Sequence, residues 1–576
     1  MLVIALRSAL LALPAFVAPV TGSAELSSVA QTPQAPATVL SAVPASAVGL
    51  LYCSDFADFR RRADQNDWVR LWRSDERDAF MDELERDMRS GMELDFERLY
   101  TVAGSLRGES VAFGGQDFAG FYTSAPEPRA EVREALRGFL PDADAERART
   151  TLNVGAAQVE IVAWPNLWSG RRSSRAGHFA AFVEHPLALG LVSANDYESL
   201  TAALEDAIAG LEGQRSAPLV EGFRAARARA SRTTGVEVFA DYRSYSDETE
   251  RMLQDTVRGD LGEPKGMFGL EKDTWLYASI DFHPGRRIDC EGFLNLPKDS
   301  LAAKLADTFA PLPATLPARL PARLDALWAL QWDVNRFYST LREAFEAQHG
   351  EDAWESIDAG VEAAKGMTGV DPVSEVLSRL DGTFAMFFAQ SDVKTQEIDA
   401  EWIGLGLLFG VTNGELFQTA LERLIESTLD PYLELEDVDG VDVYNVRRGE
   451  FSGLVEDEES WQPGGLAFTA GEFLAAIDGV ILRRQLRALQ GELDASAAGE
   501  SAGQLFDGEL GACFFGAMDL GWLQSIQRGS SLRGPAGADA DPETPAEPKG
   551  SPLSGVWIVT TARRTPDGFR YEVELR

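Results

Sequence analysis

Apolar positions along this chain fall into two rhythms. Short apolar runs such as VGLLYC (48–53), SVAFG (110–114) and FAAFVE (179–184) predict β-strands. Longer stretches with apolar residues three and four apart, such as Phe56, Phe59 and Ala63, predict amphipathic helices. Along the first half, a strand at Val48 to Cys53 leads into helices over 56–73 and 78–88. Strands at Ser110 to Gly114 and Phe118 to Ser124 precede a helix over 128–140. Four strands follow, around Leu152 and over 159–163, 179–184 and 187–193. Asn195 or Asp196 then caps a helix over 197–211, and a further helix spans 223–230. A strand over 236–240 and a hairpin turning at His283-Pro284-Gly285-Arg286 close the series. Consecutive strands joined by short turns predict antiparallel pairing, and helices that interrupt in groups predict an α+β fold.

The same order of landmarks returns from about Leu316. VPASAVGLLYCSDF is answered by LPARLDALWALQWD, each a Pro-led apolar run ending in an acid. Asp55 precedes Asp333 by 278 residues, Asp95 precedes Asp371 by 276, and Asp241 precedes Asp519 by 278. Gly108 and Gly155 answer to Gly382 and Gly440, and Glu263-Pro264-Lys265-Gly266 recurs as Glu547-Pro548-Lys549-Gly550. A shared register of this kind predicts two tandem copies, not a solenoid of short units. Copy one spans 43–310 and copy two 324–576, each a mostly antiparallel sheet with helices packed on one face. A proline-stiffened linker is expected over 311–323, and a disordered loop over 528–554, which is rich in Pro, Gly, Ala and acids.

Residues 1–24 carry one charge, Arg7, an apolar run from Ala9 to Val20 and small residues at Gly22-Ser23-Ala24, the pattern of an export signal. Residues 25–42 read as a flexible leader. No later apolar stretch is long enough to span a bilayer as a helix. Lys and Arg number 53 against 91 Asp and Glu, a formal net charge of −38, which disfavours nucleic acid and anionic membrane surfaces. Three cysteines, Cys53, Cys290 and Cys513, are too few for a disulfide scaffold; Cys53 and Cys290 could pair only if their strands were neighbours.

Candidate chemistry thins out under inspection. Asp55, Asp241, Asp333 and Asp519 each end a strand and open a helix, where an aspartate caps free N–H groups. His178, His185, His283 and His349 lack the spacing and companions of a zinc site. Acids gather at Glu434, Glu436, Asp437, Asp439 and Asp442, and over Glu456 to Glu459. Asp437-x-Asp439-Gly440 is a fragment of a calcium loop and offers at most weak Ca²⁺ binding on a solvated face. Arg171, Arg172, Arg175, Arg224, Arg227, Arg229 and Arg232 form a basic patch suited to an anionic partner, or to covering apolar surface with their stems. Trp164, Trp168 and Trp461 fall near loops, whereas Trp275, Trp328, Trp332 and Trp557 read as core. Ser391-x-x-Lys394 sits in a polar connection without its usual companions, and no nucleophile elbow or phosphate-binding glycine loop occurs. No catalytic, cofactor-binding or metal residue is assigned.

The repeated pattern runs over Pro44 to Phe59, Gly91 to Asp95 and Gly108 to Phe113, with counterparts at Pro321 to Phe337, Gly366 to Asp371 and Gly382 to Phe387. Behind an export signal it resembles uncharacterised exported bacterial proteins grouped as domains of unknown function. One extra residue between Gly366 and Asp371 departs from it. The resemblance implies export and duplication and carries no catalytic residues. The expected role is a non-catalytic binding or scaffold module of the cell envelope, periplasmic or extracellular, with an unknown protein or envelope component as partner. A carrier of an apolar ligand such as a lipid is the alternative, and an exported hydrolase the third reading.

Overall fold

The computed structural model describes residues 38–72, 106–115, 117–124, 129–137, 149–164, 178–230, 235–241, 274–285, 287–321, 324–350, 354–389, 404–429, 432–447, 462–490, 505–506, 511–522 and 556–575. The expected export signal, the 78–88 helix and the 528–554 loop lie outside these residues. The chain divides into two compact units, Met1–Pro297 and Lys298–Arg576.

Unit 1 holds strands β1 (Gly49–Cys53), β2 (Ser110–Gly114), β3 (Phe118–Ser124), β4 (Arg149–Val154), β5 (Ala157–Trp164), β6 (His178–His185), β7 (Ala188–Ala194), β8 (Val236–Asp241), β9 (Trp275–Phe282) and β10 (Ile288–Asn295). All pair antiparallel, in the order β4-β5-β6-β7-β3-β2-β1-β8-β9-β10. Its main helices are α1 (Phe56–Asp64), α2 (Arg129–Arg137), α3 (Tyr197–Leu211) and α4 (Pro218–Arg227).

Helices cover both faces of this sheet, which corrects the one-face expectation. Ala181 and Val183 of β6 face a core shared with Leu200, Leu204 and Ile208 of α3 and with Phe223 of α4. Ala180 and Phe182 face the other way, against Val132 and Leu136 of α2. Side chains alternate across a strand, so a strand apolar in both phases must be covered twice. The expected 56–73 helix breaks at Asn66, which is fully buried and donates to the carbonyls of His283 and Arg287 in the β9–β10 turn. The leader is not wholly free either. Val39, Leu40 and Ala42 are buried in the core, within a short 3₁₀ turn (Val39–Ala42).

Unit 2 holds β11 (Leu324–Gln331), β12 (Leu380–Ala389), β13 (Leu405–Val411), β14 (Leu433–Val438), β15 (Val441–Val446), β16 (Pro463–Phe468), β17 (Glu472–Asp478), β18 (Phe514–Asp519), β19 (Trp557–Thr565) and β20 (Gly568–Leu575). They pair antiparallel in the order β14-β15-β16-β17-β13-β12-β11-β18-β19-β20. Four main helices accompany them, α5 (Val334–His349), α6 (Glu355–Thr368), α7 (Gly414–Thr428) and α8 (Gly479–Leu489). Ile481, Leu482 and Leu486 of α8 pack on one face with Leu327, Phe387, Leu408 and Phe515. Phe417 and Ile425 of α7 pack on the other with Val411, Leu433 and Phe468. The expected 311–323 linker is part of this unit: Leu312, Leu316 and Leu320 are buried in its core. Three leucines at four-residue spacing bury too much apolar surface for a solvated tether.

Candidate functional site

The strand-terminal aspartates do structural work. Asp55 Oδ1 accepts from the Asp58 N–H at 2.9 Å, Asp333 Oδ1 from the Arg336 N–H at 2.9 Å, and Asp519 Oδ1 from the Trp522 N–H at 3.0 Å. Each satisfies a helix N–H that has no partner within its helix. Asp241 closes β8, and the residues after it lie outside the described set. Asp196, Asp371, Asn413 and Asp478 cap in the same way.

Cys53 and Cys290 are free and lie in one cross-sheet row, Cys53–Val236–Ile280–Cys290. Strands β8 and β9 stand between them, and three strand spacings amount to about 14 Å, beyond disulfide reach. Burial raises both thiols to about 12 and Cys513 to about 11, which makes them poor nucleophiles. The calcium-like fragment is a hairpin turn. Asp439 and Gly440 both have positive φ, and Asp437 Oδ1 accepts from the Gly440 N–H at 3.1 Å. Among the described residues no three His, Cys, Asp or Glu side chains gather as a metal site.

Arg227 and Arg229 of the expected basic patch are held by unit 1 itself. Arg229 lies over the rings of Trp275 and Phe293, 5.4 and 5.7 Å from their centroids. Arg227 lies 4.9 Å over the Tyr52 ring and meets Glu237 Oε2 at 3.0 Å. Glu237 is 0% exposed and also accepts from the Tyr277 hydroxyl at 2.7 Å. The Tyr52 hydroxyl donates to Glu109 at 3.0 Å. Burial raises the Glu237 carboxyl above its ordinary range, against the opposing pull of Tyr277 and Arg227. Arg171, Arg172, Arg175 and Arg232, with Trp168, Trp461, Ser391, Lys394 and the Glu456 to Glu459 run, lie outside the described residues.

A cleft of about 400 Å³ opens beside the β4–β5 and β6–β7 turns, lined by Arg129, Asn153, Gln158, Glu184 and His185 among others. Its groups largely satisfy one another. Arg129 donates to the carbonyls of His185 and Pro186 at 2.7 and 3.2 Å, and Arg133 meets Glu184 at 3.2 Å. His185 is 3% exposed, accepts from the Leu187 N–H through Nδ1, and is held neutral by burial, which lowers its pKa. His283 pairs with Asp289 at 2.9 Å in the β9–β10 turn.

Unit 2 presents a different surface. One face of its sheet is sealed: Leu327, Ala329, Ala385, Phe387, Leu408 and Leu474 are all 0% exposed. On the other, Phe384, Phe409 and Phe473 stand side by side across β12, β13 and β17 and remain half-buried, with ring centroids 5.0 and 5.7 Å apart. Helix α6 buries none of its residues fully and leaves Met367 76% exposed. Leu416, Leu429, Tyr432 and Leu435, on and after α7, are also exposed. In sequence, the phase of α6 and α7 gives no warning of this, because both carry an ordinary amphipathic stripe.

No protein-family model matches the chain, and no curated protein matches it. Among solved structures, crystal form III of TP0453 is similar at 7% identity, with a TM-score of 0.24, over 48% of this chain and 88% of that one. A likeness of that size carries no argument. No described helix is long and apolar enough to cross a membrane, a statement that leaves β-barrels aside.

Proposed function

We propose that this protein is an exported, non-catalytic binding module of the envelope, built from two copies of one fold, which engages a partner through the apolar surface of its second unit. One observation carries the reading. Among the described residues, seven of the nine large apolar side chains left exposed lie in unit 2: Ile357, Met367, Leu416, Leu429, Tyr432, Leu435 and Ile477. Contact surfaces form where exposed apolar groups join into a patch, and unit 2 holds most of the groups that could build one. Export is supported by the charge and apolar pattern of residues 1–24. Duplication is supported by strand order: β14-β15-β16-β17-β13-β12-β11-β18-β19-β20 repeats the unit 1 order strand for strand. The non-catalytic reading is supported by the fates of the charged groups, since the aspartates cap helices and Arg227, Arg229 and Arg129 bind within the fold.

A second reading has its own support. The half-buried row Phe384–Phe409–Phe473 suits an apolar ligand such as a lipid, held against the sheet. Native mass spectrometry of the full chain taken from its source envelope tests both. A macromolecular mass bound at fixed stoichiometry, and lost from a Met367→Glu, Leu416→Glu double variant, is the expected result. A lipid-sized mass that survives the double variant transfers the case to the carrier. Identical bare spectra for both proteins overturn the binding role.

A further inference from the structure

Strand β14 closes one side of the unit 2 sheet, and its ladder determines which main-chain groups look outward. The Asp439-Gly440 loop has two residues, so Val438 and Val441 form a hydrogen-bonded pair, and such pairs alternate back along the hairpin. Glu436 with Val443 and Glu434 with Asn445 therefore bond across the ladder. The alternation also places the Arg447 N–H on the Tyr432 carbonyl, where it is found at 2.9 Å. The N–H and C=O groups of Leu433, Leu435 and Asp437 then point away from β15. Arg447 Nε takes the Leu433 carbonyl at 3.0 Å. Among the described residues, no hydrogen bond reaches the outward groups of Leu435 or Asp437. All six residues of β14 pair with β15 without a bulge, so the edge is regular, and among the described residues no further strand pairs with it.

Side chains on this edge are not those of a merely guarded strand. Natural edges resist pairing with charge, proline or bulges. Here Leu435 is 57% exposed between Glu434 and Glu436, and Tyr432, just before the strand, is 49% exposed. The hairpin carries five carboxylates, Glu434, Glu436, Asp437, Asp439 and Asp442, against Arg483 at 3.2 Å from Glu436 and Arg447 at the base. A second copy of β14 would set glutamate against glutamate, and like charges directly opposite repel. We propose that β14 accepts an extended basic polypeptide segment as an added strand. Main-chain bonds to Leu435 and Asp437 supply the attachment, and alternate positions give the selectivity. Cationic residues fall opposite Glu434 and Glu436, and an apolar residue falls opposite Leu435. This rests on the binding role proposed above and names the partner's chemistry.

The test uses the full chain and labelled peptides of roughly ten residues, followed by fluorescence anisotropy near physiological ionic strength. One peptide alternates Lys and Val, a second replaces a central Val by Pro, and a third alternates Glu and Val. Leu435→Pro removes only an outward N–H and leaves the β14–β15 ladder its bonds. The Lys/Val peptide is expected to bind, and binding should weaken about tenfold or more for the proline-broken peptide, for Leu435→Pro and for Glu434→Lys. Glu434→Lys keeps the test valid if Leu435→Pro unfolds. Equal binding of the proline-broken peptide would reduce the interaction to bulk charge and overturn the site, as would no binding of the Lys/Val peptide. A wild-type dimer abolished by Leu435→Pro would give the edge to a second copy instead. A partner kept in the native mass spectrum without peptide binding removes the edge site and leaves the binding role; loss of both removes both.

Discussion

Asp325 lies one residue beyond the Ala326–Met518 pair, beside Asp519, and burial together with that neighbour pushes its carboxyl up to about 6. The native state therefore holds this proton more tightly than the unfolded chain does. The resulting stabilisation is complete below the ordinary carboxylate range and is lost as pH rises through about 6. Asp325→Asn should remove that loss and raise stability at pH 7 by about 1–3 kcal/mol, read from urea midpoints at pH 4 and pH 7. A variant with the wild-type pH profile would refute it. Substituting the capping aspartates should destabilise instead. Asp55→Ala and Asp333→Ala should each cost about 1 kcal/mol in urea unfolding and leave partner retention in the native mass spectrum intact. The caps were legible in sequence, because an acid between an apolar run and an amphipathic stretch makes a local demand. Asp325 was not, since its shift depends on a cross-strand neighbour nearly two hundred residues away. Glu237 left a faint trace: it shares the phase of Phe239 in VEVFAD, an acid on the core side of an alternation.

At the level of elements, the described strands and most described helices of the first half were readable from periodicity, and the layers were not. FAAFVE in β6 is apolar in both phases, which signals burial on two faces, but period alone does not say what covers the second. The 3₁₀ turn at Val39–Ala42 was hidden by its Pro- and Ala-rich surroundings. Its contact with α3 is close: a Cβ placed on Gly210 would lie 1.8 Å from the Ser41 carbonyl oxygen. Gly210→Ala should therefore displace the turn and destabilise unit 1 by about 1–3 kcal/mol. Limited proteolysis would show it as faster cleavage before β1. An unchanged digestion pattern would mean that the backbone yields at no cost.

For the whole molecule, the proposed duplication makes a strong demand. β1 to β10 should superpose on β11 to β20 in order in a crystal structure of the full chain, and a different strand order in either unit would refute common descent of the halves. By strand register, Tyr52, Glu237 and Tyr277 of unit 1 correspond to Ala329, Phe515 and Val559 of unit 2. The buried polar network thus belongs to unit 1, and the matching strand positions of unit 2 do without it. The strand order also sets a timetable. β1 is made first, yet it sits between β2 and β8, and its Cys53 pairs with Val236. At ribosomal speeds of about 5–20 residues per second, β1 waits roughly 10–40 s for that neighbour. Until then its free side is an open template, and a chain with such distant pairings folds slowly. Unit 1 is built to emerge unfinished, with one side of β1 unpaired until residue 241 is out.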